Sequence, residues 1–191
     1  MENQQPLSNS PADWTPGAVP LTDFDAAIDY VLQVTAHLTR DLVGAHQGAA
    51  AMIINGDWKT VRKYFSLSPK YSQWYDYRTP AVGFGIHAMV IKDNKPIRLT
   101  QAQLEAHPEW KGFGTEAGTH PPMRGWMAAP VIGWDNRNYG LLQVSDKYDD
   151  QDFTEDDEIR FIRLSQLTAT ALDAICALFN NHTLGHPPEA E

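Results

Sequence analysis

Cysteine is all but missing: the 191 residues contain one, Cys176. That excludes an internal disulfide and any thiol-built zinc or iron–sulfur cluster within one chain. Basic residues are also scarce, 15 Lys and Arg against 24 Asp and Glu, for a formal charge of −9. Without a lysine or arginine stripe, a nucleic-acid partner is not expected, because phosphate-backbone binding is driven by counterion release at basic surfaces. No apolar run approaches the roughly 20 residues a bilayer crossing takes, so no membrane partner is expected. The opening "MENQQPLSNSPADWTPGAVP" lacks both a basic and an apolar signal region, so the expected compartment is the cytoplasm. No phosphate-binding glycine loop, kinase core or helix-turn-helix is recognisable, and no attached output domain is expected.

What is present is the making of a core. Apolar residues reach 42%, with six Trp, seven Tyr and seven Phe, which excludes wholesale disorder and fits one domain of ordinary size. Residues 1–20 and the tail 184–191 are polar and proline-rich and are expected to be flexible, leaving a domain over 21–183. Apolar spacing predicts a helix over 23–44, capped by Thr22. The Asn-Gly-Asp turn in "AAAMIINGDWKTVRKYFSL" predicts a hairpin with strands at 49–54 and 58–67. An aromatic loop with one helical turn follows, then a short helix "IHAMVIKDN", a strand "KPIRL" and a helix capped by Thr100. "WMAAPVIG" and "YGLLQVSDK" predict a second hairpin, and a long helix runs from Thr154 to about Asn180.

The densest chemistry is the carboxylate run "SDKYDDQDFTEDDEIRF", residues 145–161. Thr154 stands where an N-cap belongs, and Glu155, Asp156, Asp157 and Glu158 fill the first helical turn, where unpaired N–H groups and the helix dipole favour negative charge. Lys147 is placed to pair with Asp157, which as an exposed contact would be worth about 0–1 kcal/mol. A calcium loop would need a glycine at its sharp turn, which this run lacks. A hydrolytic carboxylate pair has no partner acid that the sequence can name. The expected role is structural. His182 and His186 share helical spacing, but Gly185 and Pro187 break it, so no metal is expected there.

The same stretch resembles a family. Asp146-Lys147, Phe153 and Asp157-Glu158 are similar to the Asn-Lys…Phe…Asp-Glu signature of GAF domains, with Asp146 where the signature has Asn. The segment "GWMAAPVIGWDNRNYGLLQVSDKYDDQDFTEDDEIRFIRLSQLTATALDAI" looks like the C-terminal half of such a domain, and "KPIRLTQAQLEAHPEWKGFG" and "HPPMRGW" resemble GAF modules of bacterial sensor histidine kinases. The resemblance covers about 22–180. It implies an α+β sandwich: an antiparallel sheet of five or six strands, terminal helices on one face, and a ligand pocket under short helices and loops on the other.

In that frame the pocket draws on Trp74, His87, Phe113, His120, Arg124 and Trp126, apolar walls with a few polar groups. The alternative is that these aromatic residues fill a small second core. Some GAF-like proteins attach a bilin through a cysteine near the pocket, and others reduce methionine sulfoxide with several cysteines. With Cys176 inside the last helix neither is expected, and the chain reads as no enzyme. Cyclic nucleotide, haem, an aromatic metabolite and a short organic acid all stay open as ligand, so no cofactor is assigned. On the last helix Phe161, Leu164, Thr168, Ala171, Ile175 and Leu178 mark one apolar face and Ile159, Ile162 and Ala169 another, which suits a homodimer. The leading expectation is a sensory module that binds a small molecule and signals through its terminal helices, to a separate kinase or regulator. The rival is an interaction scaffold with a filled pocket.

Overall fold

The computed structural model describes residues 23–77, 85–110, 112, 120–180 and 184–185. Helix α1 spans Phe24–Leu42 and packs through Ala27, Ile28, Leu32, Thr35, Ala36 and Thr39, a face of period near 3.6. Its cap is Asp23, whose side chain accepts from the Asp25 N–H at 2.9 Å. Thr22, expected in that role, lies outside the described residues. Strands β1 (Ala45–Ile54) and β2 (Asp57–Leu67) meet at Asn55-Gly56, both with positive φ, as a tight hairpin turn requires. A 3-10 turn over Pro69–Trp74, helix α2 (Ile86–Asp93), strand β3 (Ile97–Leu99) and helix α3 (Gln101–Ala106) follow. The chain then forms the hairpin β4 (Trp126–Ile132) and β5 (Asn138–Lys147) and closes with helix α4 (Glu155–Phe179).

The five strands order as β2-β1-β5-β4-β3, and every neighbouring pair is antiparallel. β1 begins at Ala45, earlier than the expected residue 49, because Ala45 and Gln47 pair with Lys147 and Ser145 of β5. That partner is almost a hundred residues away in sequence, beyond any local signal. Helices α1 and α4 lie together on one face, over a core that includes Met52, Met127, Leu142 and Phe161. The 3-10 turn and α2 cover the opposite face, over two smaller clusters centred on Trp126 and on Tyr71. Both the sheet and the placement of the terminal helices agree with the α+β sandwich that the resemblance implies.

The two faces of α4 differ from the expected ones. Ala169 and Leu172 are buried with Phe161, Leu164, Thr168 and Ile175, whereas Leu178 is 64% exposed. A strict three-four alternation drifts around a 3.6-residue helix, so its last position rotates off the sheet. Leu38 and Leu42 of α1 and Ile159, Leu167 and Leu178 of α4 form the outward apolar positions. Among the described residues α4 alone is long and apolar enough to cross a bilayer, and its inner face is packed on the sheet. Leu184, assigned from sequence to the tail, is buried and bridges Ile54, and Gly185 donates to the Ile53 carbonyl.

Close approach of α1 to β1 depends on Gly48, where an added Cβ would stand 2.7 Å from the Ala36 carbonyl oxygen and 2.9 Å from the Arg40 backbone nitrogen. Neither neighbour is a flexible side-chain end. Gly48→Ala is therefore expected to lower unfolding free energy by about 1–3 kcal/mol, measured by urea denaturation. A wild-type midpoint in this variant would show that the helix–strand spacing is adjustable.

Candidate ligand site

Two adjacent residues at the end of β5 organise the surroundings of the site. Asp146 has φ +60°, a left-handed backbone that Asp and Asn tolerate better than other side chains. This is a physical reason for either residue at that position. Its carboxylate is fully buried and accepts from Lys70 Nζ and Tyr71 Oη, both at 2.6 Å, which pins the 3-10 turn to the sheet. Burial, then the hydrogen bond to Asp146, raises the pKa of the Tyr71 phenol, so it stays a donor. Lys147 goes to the other face, where its ammonium lies 3.0 Å from Asp157.

Asp157 in turn completes a capping box: Thr154 Oγ1 accepts from its N–H at 3.2 Å, and the Thr154 N–H donates to its carboxylate at 2.9 Å. Burial pushes the Asp157 pKa up, but the hydrogen bonds from Thr154 and Lys147 outweigh it and the net shift is downward. The Lys147–Asp157 pair, expected to be exposed, is 15% and 8% exposed on its two side chains and so is poorly screened. Phe153 is buried in the main core, its carbonyl accepts from Arg98, and Glu158 pairs with the Arg98 guanidinium at 2.9 Å. Asp152 accepts from the Gln101 N–H at the start of α3. Among the described residues no group of three or more His, Cys, Asp or Glu is arranged to hold a metal. Asp146, Asp152, Asp157 and Glu158 of this run are thus engaged in caps and ties.

The opposite face of the sheet carries the candidate site. Trp126 is fully buried on β4; its indole N–H donates to Gln143 Oε1 at 3.3 Å, and the His87 ring of α2 meets it edge-on at 5.3 Å. His120 is buried beside them, with Nδ1 donating to the Pro121 carbonyl at 2.5 Å and its ring 4.9 Å from that of Tyr77. Burial pushes the His120 pKa down to about 4, the Pro121 bond opposes this, and the charge of Lys63 adds to the lowering. At neutral pH the ring is uncharged. Gln47, Phe65, His120, Met123, Trp126 and Gln143 help line a cleft of about 10 Å³ as swept by the centre of a water-sized sphere, room for a single water.

The expected site residues do not all meet there. Trp74 is half-buried in the neighbouring cluster, its ring 5.5 Å from Tyr71. Arg124 turns away, and its guanidinium donates to the Asp150 carbonyl. Phe113 lies outside the described residues. The sequence reading did not name Gln47, Phe65 and Gln143, which line the cleft, nor Lys63 and Tyr77, which pack on Phe65. A signal existed for Lys63 and Phe65: along "VRKYF", Arg62 reaches Asp25 and Asp29 of α1 at 3.1 and 3.0 Å, so alternation sends both to the other face. Nothing local marks the glutamines.

A family model described as "GAF domain" matches residues 24–173. Solved structures similar to the chain include a far-red cyanobacteriochrome photoreceptor, at 12% identity, TM-score 0.57, and coverage of 78% of this chain and 87% of that one. The GAF domain of a phosphoenolpyruvate-protein phosphotransferase from Coxiella burnetii aligns at 15% identity, TM-score 0.59, covering 84% and 99%. The type II free methionine-R-sulfoxide reductase from Thermoplasma acidophilum aligns at 12% identity, TM-score 0.56, covering 78% and 96%. At such identities the shared property is the fold.

Two outcomes are expected. Asp146→Ala should cost about 2–4 kcal/mol, since it strands the Tyr71 hydroxyl and the Lys70 ammonium. Asp146→Asn, which keeps the backbone preference and a hydrogen-bond acceptor, should cost less, and equal losses in urea denaturation would show the charge to be what matters. For His120, an unfolded-state pKa near 6.5 against about 4 in the fold means that the unfolded chain binds the extra proton first. Its contribution is complete above about 6.5 and is lost as pH falls toward about 4. His120→Gln should therefore flatten that part of the stability–pH curve relative to wild type, and parallel curves would remove the assignment.

Proposed function

Because this chain belongs to the GAF domain family, we propose that it is a non-catalytic cytoplasmic sensory module that binds a small molecule against the face of the sheet opposite α1 and α4. The observation that carries this reading is the set of desolvated polar groups on that face. A half-buried Lys63, a neutral His120 and the amides of Gln47 and Gln143 sit among Phe65, Tyr77 and Trp126. A face that served only as a second core would be more stable with apolar residues in those places. Occupancy would pass to α4 through the Asp146–Lys147 step, which ties the 3-10 turn on one face to the α4 cap on the other. The non-catalytic part of the reading rests on Cys176, buried on the α4 side of the sheet and away from the cleft, with its thiol pKa raised by burial. The outward leucines of α1 and α4 suit a homodimer, through which a separate kinase or regulator would be addressed.

A second reading, a scaffold with a filled pocket, draws on the packing of Trp126 against His87 and Gln143 and on the 10 Å³ of the cleft. Native mass spectrometry of protein purified from its own host separates the two. Sensing predicts an extra mass that disappears on denaturation and that Trp126→Ala releases. Bare masses, together with no thermal shift across a metabolite panel, would establish the scaffold instead. Light scattering is expected to give twice 21.4 kDa, and a clean monomer at tens of micromolar would remove the homodimer.

A further inference from the structure

Three lysines with described surroundings show how this protein treats ammonium groups near its core. Lys70 is held by Asp146 at 2.6 Å, and Lys147 by Asp157 at 3.0 Å. Lys63 differs. Its Nζ stands 4.6 Å from the centroid of the Phe65 ring, and among the described residues no carboxylate lies within ion-pairing distance of it. The two neighbouring residues of β2 point to α1, where Arg62 meets Asp25 and Asp29, so a carboxylate partner for Lys63 is on the wrong side of the sheet.

The surroundings of the ammonium are those of a binding floor. In the β1–β2 register Lys63 faces Ala51 and Phe65 faces Ala49, so small side chains flank the cation and its aromatic neighbour. Phe65 meets Tyr77 edge-on at 5.4 Å, and Tyr77 meets His120 at 4.9 Å. The charge of Lys63 is felt at the His120 ring, and burial brings the Lys63 pKa down to about 8. His120 is not a competing cation, since burial and then the charge of Lys63 hold its pKa low despite the Pro121 hydrogen bond. The result is one ammonium, partly stripped of water, on an aromatic wall, with no carboxylate beside it among the described residues.

We propose that Lys63 is the anion-recognition residue of the site, and that the ligand is a small monocarboxylate whose apolar or aromatic body lies against Phe65 and Tyr77. This rests on the sensory reading above and narrows it to one class of ligand. A carboxylate supplies the charge-assisted hydrogen bond that the desolvated ammonium lacks. A flat or branched apolar body would stack there by widening the single-water cleft beside Phe65. Among the described residues a single cation without a cluster of arginines suits one negative charge, and a net charge of −9 opposes a polyanion.

The test is calorimetric titration of the full chain with phenylacetate and indole-3-acetate, beside their neutral amides. The acids are expected to bind about tenfold or more tightly than the amides. Lys63→Met should abolish that preference while leaving the chain folded, because replacing a desolvated charge by an apolar side chain of similar length is tolerated. Lys63→Arg should keep it. Acids and amides binding alike to the wild type, or an undiminished preference in Lys63→Met, would overturn the anion site and leave small-molecule sensing standing. Failure of both acids and amides to bind at millimolar concentration would overturn this proposal, and bare masses in native mass spectrometry would separately remove the sensory reading.

Discussion

The Asp146–Lys147 step at the end of β5 is where the two faces of the sheet are joined. The left-handed φ of Asp146 breaks the alternation of β5, so Asp146 follows Ser145 to the face of the 3-10 turn while Lys147 reaches the first turn of α4. Asp146 is met through one carboxylate oxygen by the Lys70 ammonium and the Tyr71 hydroxyl, and Lys147 by Asp157, which Thr154 also holds. Under that condition a buried ion pair fixes geometry even where its net contribution to stability is small. The aromatic cluster around Tyr71 and the start of the longest helix are thereby referred to the same two residues.

This arrangement divides the work between the faces. The α1/α4 face holds the larger apolar core and buries whole helix faces, with Gly48 letting α1 approach the strand backbone. The other face is covered by short elements and keeps polar atoms in apolar company: the Trp126–Gln143 contact, Gln47 donating to the Pro122 carbonyl, and the uncharged His120. Polar groups in such settings cost stability unless they are matched. Here they are matched by hydrogen bonds within the thinner cover of that face.

Much of the fold was legible from the chain. The Thr100 and Thr154 capping boxes, the Asn55-Gly56 turn and the second hairpin all lie where spacing and turn chemistry put them. Errors fell where a distant partner decides: the early start of β1 is set by β5, the inward face of α4 by the sheet beneath it, and the packing of Leu184 by Ile54. The candidate site was legible only in part. His87, His120 and Trp126 do share the pocket face, but Arg124 is drawn off by Asp150, and Lys63 is recognised only once its strand partner and its helix-facing neighbours are known.

The amino-acid sequence by itself determined the element types, the structural use of the carboxylate run and the family resemblance. The element types rest on residues within a few positions of one another, where capping, turn formation and strand alternation act. Only the tertiary structure decided which charges far apart in the chain are partnered. Asp146 finds Lys70 and Tyr71 some seventy-five residues upstream, and the His120 ring comes under the influence of the Lys63 charge through folding alone. Desolvation and Coulomb forces depend on distance in space, and neither the sign of a residue nor its neighbours in the chain reveals what will stand beside it in the fold.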